Sequence, residues 1–170
     1  MILETARLRL RPFVEADIPA YAAIRADPEV MRHMPGGMAR AAMAAEDAAR
    51  LVPDFANDWP RFGYGPWALE DRATGALLGH GGLRALPDHG NETEILYMLA
   101  RAAWGRGIAS EVAAAARDLA FGSLGLASVV GYAAPANLAS RRVLEKTGLA
   151  FVGEVVIFGI VTRRYVLDRA

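Results

Sequence analysis

The stretch Trp104–Glu111, "WGRGIASE", follows the apolar run Ile95–Ala100, "ILYMLA", and opens into Val112–Phe121, "VAAAARDLAF". An apolar run, a turn with two glycines and a long alanine-rich segment predict strand, turn and helix in that order. Glycine inside a helix costs roughly 1 kcal/mol relative to alanine. Gly105 and Gly107 at a helix entrance therefore point to a close approach to the backbone. Two explanations stand side by side on these residues alone. The glycines serve packing, or they clear a path to the first N–H groups of the helix. Those groups lack partners and carry the positive end of the helix dipole, which suits an anion such as a pyrophosphate. Arg106 adds charge to the same turn. No Lys-Ser/Thr follows, as a Walker A loop requires, and no G-x-G-x-x-G sits in a first βαβ unit.

Outward from this turn, the chain alternates strand and helix signals. "ARLRLRPF" (6–13) has period two, with Leu8 and Leu10 inward and Arg7, Arg9 and Arg11 outward. In "EADIPAYAAIRAD" (15–27), Asp17 is positioned as an N-cap and Ile18, Tyr21, Ala22 and Arg25 recur at helical spacing. "MARAAMAAEDAARLVPDF" (38–55) predicts a second helix ending near Pro53, and "NDWPRFGYGPW" (57–67) a loop. Residues 66–86 predict a hairpin turning at Gly75, and 91–100 a further strand. Ile108, Val112, Ala115, Ala116 and Leu119 make one helical stripe. A strand at 127–134, a helix at 137–148 stopping at Gly148, and two strands turning near Gly159 complete the order. The expected fold class is α/β, one mixed sheet of about seven strands with about four helices, forming a single domain over residues 1–170.

Composition narrows the function. Of 170 residues, 54% are hydrophobic, enough for a sizeable core. The formal charge is zero, so a general nucleic-acid surface is not expected. There is no cysteine, which excludes disulfides and any thiol nucleophile. No charge occurs from Leu119 to Ser140, yet Gly122, Gly125, Gly131, Pro135 and Asn137 interrupt that run, so no membrane span is predicted. With no apolar leader at the N-terminus, the expectation is a cytoplasmic protein. His33, His80 and His89 lack metal-ligand spacing, so no metal is expected.

A second segment, "NLASRRVLEKTGLAF" (137–151), joins the glycine turn to a known pattern. Together with "ETARLRLRPFVEADIPAYAAIRADPEV" (4–30), these motifs resemble the GCN5-related N-acetyltransferase (GNAT) superfamily, in particular its branch of ribosomal-protein N-terminal-acetyltransferase-like enzymes. The superfamily's pyrophosphate motif, Gln/Arg-x-x-Gly-x-Gly/Ala, corresponds to Trp104-Gly105-Arg106-Gly107-Ile108-Ala109, with tryptophan in the first place. The branch's "N-x-x-S-x-x-V-L-E-K-x-G-F" carries Leu149 in place of phenylalanine. The resemblance covers residues 4 to 155.

The resemblance implies acetyl-CoA as cosubstrate and direct transfer of the acetyl group to an amine, either a small molecule or a peptide N-terminus. It implies main-chain N–H groups at Met98 and Leu99 for the developing oxyanion, and Asn137 beside the pantetheine arm. It also implies Glu94 as a base acting through water and Ser140 as the sulfur-facing hydroxyl. Many relatives carry a tyrosine proton donor where this chain has Leu144. From the residues themselves, Ser140 could instead bond back to a carbonyl one turn earlier, Asn137 serves as an N-cap, and Glu92 reads as solvent-facing. Glu111 reads as a charge complementing the helix dipole. His80 reads as a hydrogen-bonded structural histidine. Trp59, Phe62, Tyr64 and Trp67 either line an acceptor pocket or close a core beneath a loop. The final strands mediate dimers in many members of the superfamily, which puts a homodimer among the expectations. The alternative to an enzyme is a non-catalytic acetyl-CoA sensor, for which the missing tyrosine speaks.

Overall fold

A computed structural model describes all 170 residues. The strands are β1 (Leu3–Glu4), β2 (Leu8–Arg11), β3 (Pro66–Asp71), β4 (Leu77–Leu86), β5 (Glu92–Leu99), β6 (Ser128–Ala133), β7 (Ala150–Ile157) and β8 (Ile160–Asp168). The helices are α1 (Ile18–Arg25), α2 (Pro28–Met31), α3 (Ala44–Phe62), α4 (Ile108–Phe121) and α5 (Leu138–Thr147). All eight strands form one sheet in the order β1-β2-β3-β4-β5-β6-β8-β7. Every neighbouring pair is antiparallel except β5 and β6. That parallel step requires a crossover, which α4 supplies. The α/β class and mixed sheet are as expected. The structure adds one strand to the expected seven, because Leu3–Glu4 pairs with β2, and one helix to the expected four, the short α2.

The sheet is covered on both faces. Under α4 and α5, Leu8, Leu10, Trp67, Leu69, Ile95 and Leu99 pack with Ile108, Val112, Ala116 and Leu144. Under α1 and α3, Phe13, Tyr21, Val52 and Phe55 pack with Ala68 and Met98. Alternation along β5 thus sends Ile95 and Leu99 to the α4 face and Met98 to the α1 face. The alanines of α4 and the absence of a side chain at Gly81 allow close contact there. A Cβ on Gly81 would stand 2.5 Å from Val112 Cγ1.

Two local expectations need correction. The second helix does not end near Pro53, and Asn57–Phe62 is not loop, because α3 runs through both Pro53 and Pro60. Each proline removes one backbone hydrogen bond. Burial of Ala44, Ala48, Val52 and Phe55 along one stripe offsets that loss and carries the helix on to Gly63, its left-handed C-cap (φ 80°). The residues 38–43 ahead of it form a 3₁₀ turn rather than its first turns. Asp17 holds the N-cap position of α1, as expected, but its side chain makes no cap to the helix. Its carboxylate instead takes both Nη atoms of Arg11 at 2.8 Å and the Val14 amide at 2.9 Å. No helix is long and apolar enough to cross a membrane.

Candidate active site

The parallel pair β5 and β6 touches in register at one position only, Glu94 opposite Val130. Beyond it the two strands splay, and the main chain of β5 toward Leu99 loses its neighbour on that side. The Ala100 amide bonds to Leu78 O at 2.8 Å, so alternation turns the Met98 amide toward β4 as well. The Leu99 amide then faces the opening. The Leu99 carbonyl does too, and it accepts a hydrogen bond from the Trp104 indole N–H at 2.9 Å.

At the end of β5 stands the glycine turn. Gly105 (φ 70°) and Gly107 (φ 75°) are both left-handed, which explains why glycine occupies both positions. A Cβ on Gly105 would meet nothing within 4 Å, so the space beside this backbone is open. Gly107 is the N-cap of α4, and no side chain caps the helix. The first intrahelical bond runs from the Glu111 amide to Gly107 O, which leaves the amides of Ile108, Ala109 and Ser110 without helical acceptors. The Ile108 side chain is buried in the core, so only its amide can face a ligand. Arg106 is half-exposed, with Asp71 its nearest acid at 3.9 Å. The residues present thus fit a diphosphate: free amides at a helix N-terminus, an open approach and an adjacent cation.

A clamp behind the turn was not legible from motif spacing. Glu111 accepts from the Arg7 amide at 3.0 Å, from Arg7 Nε at 2.8 Å and from the Thr5 hydroxyl. Arg7 Nη1 donates in turn to the Arg106 carbonyl. Burial pushes the Glu111 carboxyl up, but the Thr5 and Arg7 bonds outweigh it and hold the group below its ordinary value. Glu111 therefore does more than complement the dipole. It ties the start of the sheet to the turn.

On α5, Asn137 is the N-cap, and its Oδ1 accepts from the Ser140 amide at 3.1 Å. Ser140 does not bond back to a carbonyl one turn earlier; Thr147 does that, to Val143 O at 2.8 Å. The Ser140 hydroxyl lies 3.1 Å from the Tyr97 hydroxyl, which also donates to the Ser140 carbonyl at 3.0 Å. Burial drives the Tyr97 phenol well above its ordinary value, so it stays protonated. Sequence reasoning assigned Tyr97 no role. Its period-two placement on β5, three residues from Glu94, was visible, but its partner on α5 was not. Leu144, where relatives carry tyrosine, is fully buried in the core.

Glu94 is 4% exposed. Both donors of Arg84, Nε at 2.9 Å and Nη2, fall on Oε2, and no protein donor reaches Oε1. Burial raises the Glu94 pKa above its ordinary value, against the opposing pull of Arg84. Glu92 is not the solvent-facing glutamate expected. It accepts from the Tyr132 hydroxyl and from Arg164, which crosses to it from β8. Those bonds hold its carboxyl low although burial alone would raise it.

Glu94, Tyr97 and Ser140 line one cavity of about 500 Å³, together with His80, Tyr132 and residues of α1 and α3. His80 is hydrogen-bonded, as expected, and also borders this cavity. Its Nδ1 is 2.8 Å from the Tyr21 hydroxyl. Burial, with Arg25 and Arg84 nearby, pushes its pKa down to about 3, so the ring is neutral at working pH. Trp59, Tyr64 and Trp67 do not line the cavity; they belong to the core on the α4 face. Phe62 also stands outside it, under the Arg61 guanidinium.

Comparison with known proteins agrees with this geometry. Residues 7–150 match the sequence pattern of the acetyltransferase (GNAT) domain. YoaA of Bacillus subtilis, described as an uncharacterized N-acetyltransferase, is 33% identical over 147 residues, covering 86% of this chain and 81% of the relative. The FsC-acetyl coenzyme A-N(2)-transacetylase of Aspergillus fumigatus is 31% identical over 157 residues, covering 88% of this chain and 65% of that longer protein. Among solved structures, an acetyltransferase from Agrobacterium tumefaciens superposes with a TM-score of 0.81 at 29% identity, over 99% of this chain and 95% of that one. The ribosomal L7/L12 acetyltransferase RimL, solved with coenzyme A, shares the fold at a TM-score of 0.78 and 17% identity, over 99% of this chain and 98% of that one. With the family's pattern spanning residues 7–150 and a relative 33% identical across 86% of it, the chain belongs to the GNAT family of acetyltransferases.

Proposed function

We propose that the chain acts as a single domain that moves the acetyl group of acetyl-CoA directly to a primary amine, with Glu94 and Ser140 handling the two protons. The observation that supports this best is the splay. One cavity reaches the α1–α3 face at Glu94 and the α4–α5 face at Ser140, with the uncapped start of α4 following the end of β5.

Acetyl-CoA supplies a thioester, so a nitrogen–carbon bond forms while the carbon–sulfur bond breaks and the sulfur leaves needing a proton. The amides of Ile108, Ala109 and Ser110, with Gly105, Gly107 and Arg106, would hold its diphosphate. Trp104 fixes the turn through the Leu99 carbonyl. Asn137 would meet the pantetheine arm, with its Oδ1 already spent on the Ser140 amide and its NH₂ free to donate. The Leu99 N–H would stabilise charge developing on the carbonyl oxygen. Of the pair Met98 and Leu99, Leu99 carries this role, because the Met98 amide is turned toward β4.

Glu94 Oε1 takes a proton from the incoming ammonium, directly or through water, and its raised pKa makes it a better acceptor than an exposed glutamate. Ser140 would give its proton to the departing sulfur and take in exchange the second proton that the attacking nitrogen sheds, while Tyr97, whose own proton goes to the Ser140 carbonyl, holds that hydroxyl in place. This Tyr97–Ser140 pair takes the place of the tyrosine that Leu144 replaces.

Thiol release with acetyl-CoA and a panel of amines, paired with calorimetry of acetyl-CoA binding, tests the proposal. Steady turnover that falls in Glu94→Gln and Ser140→Ala is the expected result. Tight acetyl-CoA binding with no turnover on any amine or N-terminal peptide would return the chain to a sensor role.

A further inference from the structure

The wall of the cavity opposite β5 is built from α1, α3 and the turn before α3. It holds three guanidiniums, those of Arg25, Arg40 and Arg50, around one carboxylate, Asp47. The fourth arginine of the lining, Arg84, is committed to Glu94. Positive charge is therefore in excess at the Asp47 end. Asp54, 3.6 Å from Arg50, and Glu46, near Arg40, stand outside the lining, so Arg50 is shared between two acids while the cavity surface itself presents three guanidiniums and one carboxylate. His80 adds no charge, being neutral.

Arg25 makes this excess significant. It is 6% exposed, yet of its five N–H donors only Nη2 meets an oxygen, Asp47 Oδ2 at 2.8 Å. Nη1 has the Met98 sulfur at 3.9 Å, and Nε has no partner. A clip between α1 and α3 needs one arginine for one aspartate. Three leave the burial of Arg25 undercompensated. Arg40 also dominates the carboxyl of Asp47, holding it down to about 2, so the aspartate stays charged and is already shared. Nothing acidic in this part of the lining remains to receive a second ammonium, as a polyamine would require.

We infer that the acceptor is a small amine that itself bears an acidic group, a short peptide or a long ω-amino acid, with its carboxylate held by Arg25, Arg40 and Arg50 and its amine at Glu94. This rests on the acetyltransferase proposal above. Scale is consistent with it. Glu94 and Met98, beside Arg25, are four residues apart on the same face of β5, about 13 Å along the strand. The cavity of about 500 Å³ holds a ligand of that length.

The test is turnover of the full chain with acetyl-CoA on long ω-amino acids, dipeptides and tripeptides, each beside its C-terminal amide, with spermidine as the cationic member. Carboxylates should exceed their amides in kcat/KM by about tenfold or more, a preference that shrinks with added salt. Arg40→Ala and Arg50→Ala, at exposed side chains, should cut the acid-to-amide ratio by about tenfold. Arg32→Ala, paired with Glu29 outside the cavity, is the control for loss of an arginine as such. A ratio near one, a preference for spermidine or amides, or no turnover of any carboxylate-bearing member overturns the inference. If amides or spermidine turn over while carboxylates do not, the acetyltransferase proposal stands without it. Failure of acetyl-CoA to bind in calorimetry removes both.

Discussion

Glu94 and Tyr97 stand on opposite faces of β5, three residues apart, and yet border the same cavity. In a closed sheet that would be excluded, since odd separations face apart. It occurs here because β6 leaves β5 after Val130 and opens a gap through the sheet. Under the proposed function, Glu94 on one face and the Ser140 hydroxyl beside Tyr97 on the other would then serve the two ends of one acetyl transfer without competing for the same space.

The pH profile should report Glu94. Protonated Glu94 cannot accept a proton, and burial raises its pKa above the ordinary 4.5. Activity is therefore lost as pH falls through that raised value, and kcat/KM should show an ascending limb with its midpoint above 4.5. Glu94→Gln should lower kcat/KM by about 10²- to 10³-fold and abolish that limb. A limb unchanged in the variant assigns the base elsewhere.

Ser140→Ala and Tyr97→Phe should each lower kcat by about tenfold or more while acetyl-CoA affinity changes little, because Ser140 moves a proton in the proposed transition state and Tyr97 positions its hydroxyl. Steady-state kinetics beside calorimetry separates the two effects. Equal losses in binding and turnover would make the pair a structural contact.

Gly107→Val should weaken acetyl-CoA binding by at least about tenfold, since it forces a β-branched residue into a left-handed conformation at the N-cap of α4. Gly105→Ala meets no neighbouring atom, so its thermal unfolding should reflect only strain of about 1–2 kcal/mol. Titration of acetyl-CoA against both variants checks the cradle. Unaltered affinity in Gly107→Val would place the diphosphate elsewhere.

His80 should couple stability to pH. Its folded pKa lies near 3, below the ordinary 6.5, so the unfolded chain binds the proton more readily. Stability from this group is full above 6.5 and declines as pH falls toward the folded value, by up to about 1.4 kcal/mol per unit. Urea unfolding at about pH 7 and about pH 5 should show a smaller pH difference in His80→Gln than in the unaltered chain. The same pH difference in both would mean that the ring titrates normally.

Reading the residues went furthest where physics is local. Leu8 and Leu10 alternate inward, Gly75 and Gly159 turn their hairpins, and Asn137 and Gly148 bracket α5, all as spacing predicts. It went wrong at Pro53 and Pro60, where local breakers lost to burial of Val52 and Phe55 against a sheet drawn from distant residues. Glu92 was misread for a related reason, since Arg164 lies 72 residues away.

The chain's own order of residues determined a strand, a two-glycine turn and a helix at 95–121, because torsion and capping preferences act between near neighbours. Only the tertiary structure decided that Tyr97 meets Ser140, that Arg84 spares one oxygen of Glu94, and that three arginines gather on Asp47. Those contacts join segments up to 43 residues apart, and their energies depend on burial, which no single segment possesses before the sheet closes around it.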